Sequence, residues 1–537
     1  MLIMNGNLIS RSVRQGDRTT INISLSRHCG ERSGDSNLGV NMKAMLIIFI
    51  TLYSLSSMSQ IKLGNTWVTG YSGNSVNFNS SSIVTKQGIY FPSKYFTYGN
   101  SNICDTNGNL IIASDGYNLY DSTGLFIEGG DTLIPVDFYL FESGFSSYSQ
   151  GSILLPMDSA MYYHVTPTFS NFQFADCQAN GNCYFDLLLY NLIDMKANSG
   201  AGKVTQRMIP LMQNARLRKT QMMACRHSNG KDWWLLKNEG DSANIHTFLF
   251  TQDSVYDKGV QVFNEPVWGA SDIQGQSTFN SDGSIYASTS HGGSTGYIFI
   301  ANFDRCYGIL DNPYVIQMPL GSQHNPYDTT LTDRESVGLA FSPNNKYLYV
   351  ISYTNVYQYD LHDSTWFHVA GIDTVASAAQ GYETAYLGPD NKIYIGNCGG
   401  LSKQMSRIDN PDVKGAGCNF CPRCLRLDSL GANAYVGTPP CMPNYGLGPK
   451  ECWPLSTKDV VNKTVEINIY PNPAIGQITI TESENFSEVK IYTLLSQLVF
   501  EKKTKPVSQA EINTQGLPSG IYMVQIDGKY SRKMVVE

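Results

Sequence analysis

The side chains best suited to covalent or metal chemistry are cysteines, and most of them cluster in the second half of the chain. The candidates are Cys177, Cys183, Cys418, Cys421, Cys424, Cys441 and Cys452. Thiolates separated by two residues can converge on one zinc ion or one iron–sulfur cluster. In an oxidising compartment the same residues form disulfides, and spacing alone does not reveal the pairing. The chemistry of these cysteines therefore depends on where the chain is located.

Two carboxylates stand just before apolar runs and could take acid and base roles. They are Glu335 and Glu383, and Arg334, Gln274 and Gln276 lie in the same register. A pair of carboxylates at one mouth of a channel can hydrolyse a glycosidic bond. Residues at such positions are more often solvated loop ends. We therefore assign no catalytic residue and treat these five as candidate channel-rim residues.

Signatures of metal and cofactor binding are weak. The histidines of the mature chain show no metal-ligand spacing such as His-x3-His, and no phosphate-binding loop is present. Residues 105–109 superficially look like a calcium loop, but the glycine stands at the fourth position and no Glu follows at the twelfth. We interpret this segment as a plain turn. We expect no metal and no cofactor, and an enzyme is the less favoured class.

The elements that must position these residues are β-strands joined by tight turns. Aromatic residues make up 12% of the chain and charged residues only 15%. This composition is typical of strands and turns and shows little sign of long amphipathic helices. The net charge of −7 leaves no basic patch, so nucleic acid is not an expected partner.

A polar turn followed by an apolar strand rich in Tyr or Trp recurs six times. The copies begin at Asp105, Asp158, Ser228, Ser281, Pro343 and Pro389. Their spacing matches one hairpin per four-stranded propeller blade. Together with a divergent unit between Trp67 and Tyr98, they predict an all-β chain with a seven-bladed β-propeller over residues 60–417. The pattern is similar to the WD-like and YVTN-like propellers.

The N-terminal region predicts a secretory signal peptide. Met42 is followed by a lysine, an apolar run that ends at Leu55, and a small-x-small cleavage site that ends at Ser59. We predict a signal peptide at residues 42–59, a mature chain that begins at Gln60, and a non-translated or disordered extension at residues 1–41. The apolar run is too short to span a bilayer, so we do not expect an integral membrane protein.

Short alternating apolar runs after residue 465 predict a small immunoglobulin-like β-sandwich. Its Tyr-Pro-Asn-Pro opening and its basic last strand resemble the C-terminal sorting domain of type IX secretion substrates, a system of Bacteroidetes. The residues that carry the resemblance are Tyr470, Pro471, Asn472, Pro473, Gly520, Tyr522 and Lys533. The resemblance covers residues 465–537. It implies a partnership with the type IX machinery and export through the periplasm to the outer-membrane surface or the medium.

Export through the periplasm favours disulfides over a metal in the cysteine cluster. We predict that residues 418–464, which are rich in Pro and Gly, form a linker held by disulfides. The leading functional hypothesis is a binding or adhesion scaffold for an unknown surface glycan or protein ligand. The alternative is a secreted hydrolase or lyase with its site in the propeller channel. An enzyme would gather carboxylates, His or metal ligands at one mouth, whereas a binder would present Tyr, Trp, Asn and Gln there.

Overall fold

A computed structural model describes most of the chain beyond residue 61. The described ranges are 62–71, 73–80, 83–86, 94–158, 160–240, 242–264, 275–289, 296–319, 336–371, 381–397, 402–426, 437–452, 467–493, 498–527 and 530–537. The predicted extension, signal peptide and N-terminus at Gln60 lie outside these ranges, as do the candidate rim residues Gln274, Arg334 and Glu335.

Seven antiparallel sheets follow one another through the described part of residues 66–426, and we name them sheets A to G. Sheets A to C contain β1 (Thr66–Tyr71), β2 (Asn74–Asn77), β3 (Val84–Lys86) and β4 (Tyr95–Phe96); β5 (Ser101–Cys104), β6 (Leu110–Ser114) and β7 (Leu119–Asp121); and β8 (Ile153–Pro156), β9 (Met161–Thr168), β10 (Leu187–Asp194) and β11 (Lys203–Met212). Sheets D and E contain β12 (Leu217–Arg226), β13 (Trp233–Glu239), β14 (Ile245–Phe250) and β15 (Val255–Gln261); and β16 (Ser277–Phe279), β17 (Ile285–Thr289), β18 (Tyr297–Asp304) and β19 (Ile309–Gln317). Sheets F and G contain β20 (Ser336–Phe341), β21 (Tyr347–Ser352), β22 (Asn355–Asp360) and β23 (Thr365–Gly371); and β24 (Tyr382–Leu387), β25 (Ile393–Asn397), β26 (Gln404–Ile408) and β27 (Phe420–Arg426).

The sheets are arranged as a ring around their inner strands. Strand β1 contacts β5, β5 contacts β8, and the series continues through β12, β16, β20 and β24. The ring closes where sheet A meets sheet G, because the ring of Trp67 lies edge-on to that of Tyr394 at 5.1 Å. Phe78 lies 5.6 Å from the same tyrosine ring. This arrangement is a seven-bladed β-propeller, and the predicted fold is confirmed.

The apolar character of the strands follows from burial on both faces. In β21, Leu348 and Val350 pack towards sheet E in one cluster that contains Ile298. Tyr349 and Ile351, which point the other way, pack with residues of sheet G in a second cluster. Neighbouring side chains of a strand alternate between faces, so a strand between two sheets must be apolar throughout. This explains the continuous runs such as Tyr347–Ser352.

All six repeated turns connect the first strand of a sheet to the second, and several also fasten adjacent sheets. Asn345 in the turn of sheet F accepts hydrogen bonds from the backbone N–H and the hydroxyl of Ser281 in sheet E, at 2.9 and 2.7 Å. Its own amide donates to Asp282 at 3.0 Å. Asn345 has a φ of 61°, a left-handed conformation that Asn tolerates better than most residues. The repeated turns lie at one end of the propeller, which we call the turn face.

Two expectations about the propeller need correction. Sheet B has three strands and not four, because the chain after β7 forms irregular hydrogen bonds with residues 117–121 in place of a fourth strand. The expected boundary after residue 417 also differs from the structure. Strand β27 pairs with β26, so residues 420–426 belong to the last blade.

In the part of the chain that the structure describes, the helices are short and lie in connections between strands. Helix α1 (Val136–Phe141) lies between sheets B and C, and α2 (Asn171–Asn180) connects β9 to β10. The hydroxyl of Ser170 caps α2 by accepting from the backbone N–H of Gln173. Two 3₁₀ turns occupy Asn198–Gly200 and Gly415–Cys418. Among the helices of the described residues, none is long and apolar enough to cross a membrane.

The C-terminal strands form a separate sheet with its own core. They are β28 (Ile467–Ile475), β29 (Gln477–Thr493), β30 (Leu498–Asn513), β31 (Gly520–Ile526) and β32 (Tyr530–Val536). The order is β28-β32-β31-β29-β30, and an additional pairing of β28 with β29 closes four of the strands into a barrel-like ring. Ile480, Ile491 and Val524 are buried inside this ring. The result is consistent with the predicted immunoglobulin-like domain.

Candidate functional site

Two glutamines stand at the inner strands and fasten them to one another. Gln276 donates to the carbonyl of Ala385 at 2.7 Å, and its carbonyl accepts from the N–H groups of Leu339 and Ala385, both at 3.0 Å. Gln150 makes equivalent bonds to the carbonyl and N–H of Ser277, both at 2.8 Å. The two amides thereby satisfy backbone groups at the inner edges of sheets E, F and G, where inner strands have no further strand to pair with.

The candidate rim residues that the structure describes do not lie at a rim. Gln276 is completely buried and hydrogen-bonded as above, and Glu383 on β24 is buried as well. Both precede or open an inner strand, as expected, but both side chains are buried. Because Gln276 cannot ionise and Glu383 is buried, these two residues do not form a solvent-facing carboxylate pair. The channel-rim interpretation is therefore wrong for these two residues.

Residues 437–452 lie across the turn face, and we call them the plug. Five of their hydrogen bonds, each of 2.8 or 2.9 Å, reach different sheets. They join Thr438 to Thr69 of sheet A, Cys441 to Asn100 beside sheet B, Asn444 to Ser281 of sheet E, Tyr445 to Leu154 of sheet C, and Lys450 to Ser228 of sheet D. The ring of Tyr445 also lies edge-on to that of Trp233 at 5.9 Å. The plug therefore contacts five of the seven sheets, whereas this segment had been predicted as a linker.

A disulfide fixes the C-terminal end of the plug. Cys452 is bonded to Cys306, which lies in the turn between β18 and β19 and is 146 residues away in sequence. Two local disulfides join Cys177 to Cys183 at the end of α2, and Cys421 to Cys424 within β27. Cys418 and Cys441 are buried free thiols. Residues 418–464 were expected to be held by disulfides. The structure has one local disulfide there, between Cys421 and Cys424, and a second that joins Cys452 to sheet E.

Buried thiols surround the plug. Burial raises the pKa of the Cys441 thiol to about 12, and it does the same for Cys104 and Cys225. Cys225 packs in the same apolar cluster as Leu447 of the plug. Because only the thiolate is a good nucleophile, these three groups are chemically inert while the plug is in place. Within the described residues, no group of three His, Cys, Asp or Glu side chains could hold a metal ion.

A cavity of about 310 Å³ lies between the plug and the turn face. Its volume is at the lower end of the range for small-molecule sites. Trp67, Phe279, Met442 and Leu387 contribute apolar walls, and asparagines and Ser281 contribute polar groups. The polar lining side chains include Asn65, Asn280, Asn391, Asn444, Ser281, Thr278 and Tyr386. No Asp, Glu, His, Lys or Arg is among the described residues that line it.

One buried constellation has the residue types of a nucleophilic triad. His164 lies 3.1 Å from the hydroxyl of Ser114 through Nε2 and 3.3 Å from the amide nitrogen of Asn191 through Nδ1. The Oδ1 atom of Asn191 already accepts from the N–H of Met208, so its amide N–H faces the imidazole and Nδ1 must accept. Nε2 then carries the proton and cannot remove one from Ser114.

The environment of His164 supports a structural role. Burial lowers the pKa of the imidazole to about 3, so it is neutral at ordinary pH. The hydroxyl of Ser114 also accepts from the backbone N–H of Gly116. We interpret the three side chains as a satisfied polar bridge between sheets B and C. Sequence spacing did not single out this cluster, because its members are 27 and 50 residues apart.

The predicted sorting residues share one side of the C-terminal domain. Pro471 and Pro473 lie in β28, and Asn472 between them donates to the carbonyl of Lys533 at 3.0 Å and accepts from the N–H of Val535 at 2.8 Å. The Tyr-Pro-Asn-Pro opening is thereby joined to the last strand.

Three further sorting residues lie on the adjoining strands. Gly520 pairs with Val536 at the start of β31, and the hydroxyl of Tyr522 donates to the carbonyl of Pro518 at 2.7 Å. The Tyr470 side chain is exposed.

The family comparison agrees with this geometry. Residues 468–537 match the family described as the secretion system C-terminal sorting domain. This segment is a type IX sorting domain. The chain is therefore exported to the cell surface or the extracellular space through interaction with the type IX machinery, and a Bacteroidetes origin follows from the domain.

No curated protein matches this sequence. Solved structures that resemble the chain include apo AztD from Citrobacter koseri, with 10% identity, 71% of this chain and 86% of that chain covered, and a TM-score of 0.34. The beta-propeller domain of Cps50 (Swd1) from Myceliophteria thermophila has 10% identity, coverages of 62% and 93%, and a TM-score of 0.32. A putative 6-phosphogluconolactonase from Bacteroides fragilis has 12% identity, coverages of 85% and 99%, and a TM-score of 0.33. These scores are too low to support an argument, so the fold assignment rests on the strand topology.

Proposed function

We propose that the exported propeller is a binding protein that recognises a neutral ligand at the turn face. The observation that carries this proposal is the cavity beneath the plug. Its described lining presents Trp, Tyr and Asn side chains and no Asp, Glu, His, Lys or Arg. Burial raises the pKa of Tyr386 and of Cys225, the latter to about 12, so these two lining groups stay protonated. General acid–base catalysis needs a group within hydrogen-bond reach of the substrate whose pKa lies near the working pH. The lining therefore favours recognition over catalysis.

The absence of charge in the described lining also restricts the ligand. An ion that enters such a cavity loses its hydration and gains no opposite charge in return. A compact neutral molecule, such as a terminal neutral sugar of a surface glycan, loses much less hydration free energy when it enters the cavity. Aromatic and apolar walls contribute by burial, and the few polar groups would orient hydroxyl or amide groups of the ligand.

The alternative of a hydrolase in the channel has no supporting observation among the described residues. Gln276 and Gln150 are buried, and their amides are engaged in hydrogen bonds to inner strands. The buried Ser114 and His164 have the wrong proton arrangement for nucleophilic attack, as described above. The proposal therefore remains with binding.

The test is a glycan and peptide array probed with the exported protein and two variants. Ala340→Leu enlarges a side chain that lines the cavity, and Ala179→Leu adds the same atoms at an exposed site on α2. We expect the wild type to bind neutral glycans, Ala340→Leu to lose them, and Ala179→Leu to retain them. Binding restricted to charged glycans, or hits that Ala340→Leu does not change, would contradict the proposal.

A further inference from the structure

Large apolar side chains are exposed on the two propeller helices. Phe172 on α2 is 83% exposed, and Leu140, Phe141 and Val136 on α1 are 70%, 59% and 52% exposed. The helices are in contact with each other, because the rings of Phe141 and Phe174 lie 5.3 Å apart. These four exposed residues form what we call the helical patch. A contiguous apolar surface of this kind on an exported protein is a candidate interaction site.

The helical patch is held in place by the rest of the propeller. Phe138 on the inner side of α1 is buried against Phe169 at 4.8 Å and against Phe185 at 5.8 Å. The disulfide between Cys177 and Cys183 closes the chain at the end of α2. The exposed side chains therefore project from a fixed base, which reduces the entropy lost on association.

The patch lies away from the cavity. Helix α2 connects β9 to β10, and the repeated turn at residues 157–160 connects β8 to β9 at the other end of β9. The two ends of an eight-residue strand are separated by roughly 25 Å. The helical patch is therefore at the opposite end of the propeller from the plug, and it is independent of the ligand site proposed above.

Charge restricts the partner. Neither helix contains Lys, Arg or His, and each contains one aspartate. Asp137 is exposed beside Val136, and Asp176 follows Phe172 by one helical turn. Hydrogen bonds from Asn180 and Asn182 lower the pKa of Asp176 and keep it ionised. Glu142 directly after α1 interacts with Lys219 of β12, which also lies 5.6 Å from the ring of Phe169, and these two charges offset each other. Asp137 and Asp176 therefore leave a net negative charge at the edge of the patch, which repels anionic lipid headgroups and disfavours a symmetric contact with a second copy.

From the exposed side chains and their acidic edge, we infer that the helical patch docks a protein segment whose apolar side chains are flanked by Lys or Arg. An amphipathic helix with basic edges fits this description, since its apolar face can cover Phe172 and Leu140 while its cations approach Asp137 and Asp176. This inference goes beyond the proposed function, because it concerns another surface and another class of partner.

The experiment measures binding of fluorescent model peptides to the full exported chain. The probes are an 18-residue amphipathic Leu/Lys helix and a Leu/Glu helix of the same pattern. We expect the Leu/Lys peptide to bind and the Leu/Glu peptide to bind at least tenfold more weakly. We also expect affinity for the Leu/Lys peptide to fall as salt is raised, because surface charges are screened.

Three double variants separate this site from general attraction to an acidic protein. Leu140→Ser with Phe172→Ser removes apolar contact and is expected to weaken binding at least tenfold. Asp137→Asn with Asp176→Asn is expected to weaken it several-fold and to reduce its salt dependence.

The matched control is Val260→Ser with Val262→Ser, two exposed side chains at the outer edge of sheet D, and it should leave binding unchanged. Because the substituted side chains lie at the surface, each variant is expected to fold, and its thermal melt can verify this. Equal binding of the two peptides would overturn the inference. The inference would also be overturned if the double variant Leu140→Ser with Phe172→Ser bound the Leu/Lys peptide as well as the control variant does.

Discussion

Replacing Gln276 with leucine should destabilise the propeller strongly although the two side chains are similar in size. The change removes three hydrogen bonds and leaves the N–H groups of Leu339 and Ala385 and the carbonyl of Ala385 buried without their partner. Each buried group without a partner costs about 1–3 kcal/mol. At about 1–2 kcal/mol each, the three groups together cost about 3–6 kcal/mol. Burial of the leucine side chain offsets about 1–2 kcal/mol. The expected loss is about 1–5 kcal/mol in the free energy of unfolding.

Tryptophan fluorescence during urea unfolding can measure this loss in the propeller alone. All six tryptophans precede residue 465, so the sorting domain does not contribute to the signal. The matched control is Gln178→Leu, at an exposed position of α2, which should change stability by less than about 0.5 kcal/mol. If Gln276→Leu were no less stable than Gln178→Leu, the Gln276 amide would not fasten the inner strands, and the role that we assign to its hydrogen bonds would be wrong.

Four further outcomes follow from the described contacts. Burial opposes ionisation of Asp360, but the N–H groups of Asp363 and His362 and the ammonium of Lys414 lower its pKa to about 2. The ionised carboxylate should therefore contribute about 1–2 kcal/mol to stability, after allowance for the exposed lysine, above about pH 4, and this contribution should be lost as pH falls towards 2. Asp360→Asn should remove this acid-dependent step when unfolding is measured as a function of pH. Tyr445→Ala should loosen the plug and make Cys441 react with a maleimide in the native state, whereas in the wild type this thiol should react only after denaturation. Cys306→Ser should free Cys452 for alkylation, which peptide mass spectrometry can detect, and equal alkylation of the wild type would argue against the bond. A chain that stops after residue 460 should accumulate in the periplasm, and normal secretion of that chain would refute the role of the sorting domain.

Much of the architecture was predictable because it depends on local, repeated patterns. Each turn that precedes a strand such as Tyr347–Ser352 combines residues that accept left-handed conformations with an apolar run, and both features are visible in a single stretch of sequence. Repetition of this pattern predicts a ring of similar sheets. The sorting domain was recognisable for the same reason, since its opening and its last strands are short contiguous motifs.

The sites depended on contacts that no local pattern reveals. Cys306 and Cys452 are 146 residues apart, and nothing near Cys306 indicates its partner. The plug has few periodic apolar residues, so its sequence predicts a linker, but its backbone and side chains form hydrogen bonds with residues of five sheets or their connections. Gln276 stood at the expected position on an inner strand. Whether such a side chain faces solvent or the packed centre is decided by neighbouring sheets, and sequence register alone does not distinguish the two.

The position of the plug in the chain has a consequence for quality control during export. The segment that covers the turn face is also the last part of the propeller to be synthesised, and the sorting domain follows it directly. A nascent chain that ends before residue 437 would lack both, leaving Cys441's neighbours uncovered and the molecule without an export signal. Chain order therefore couples the two: a truncated propeller that lacks the plug also lacks the domain that directs export.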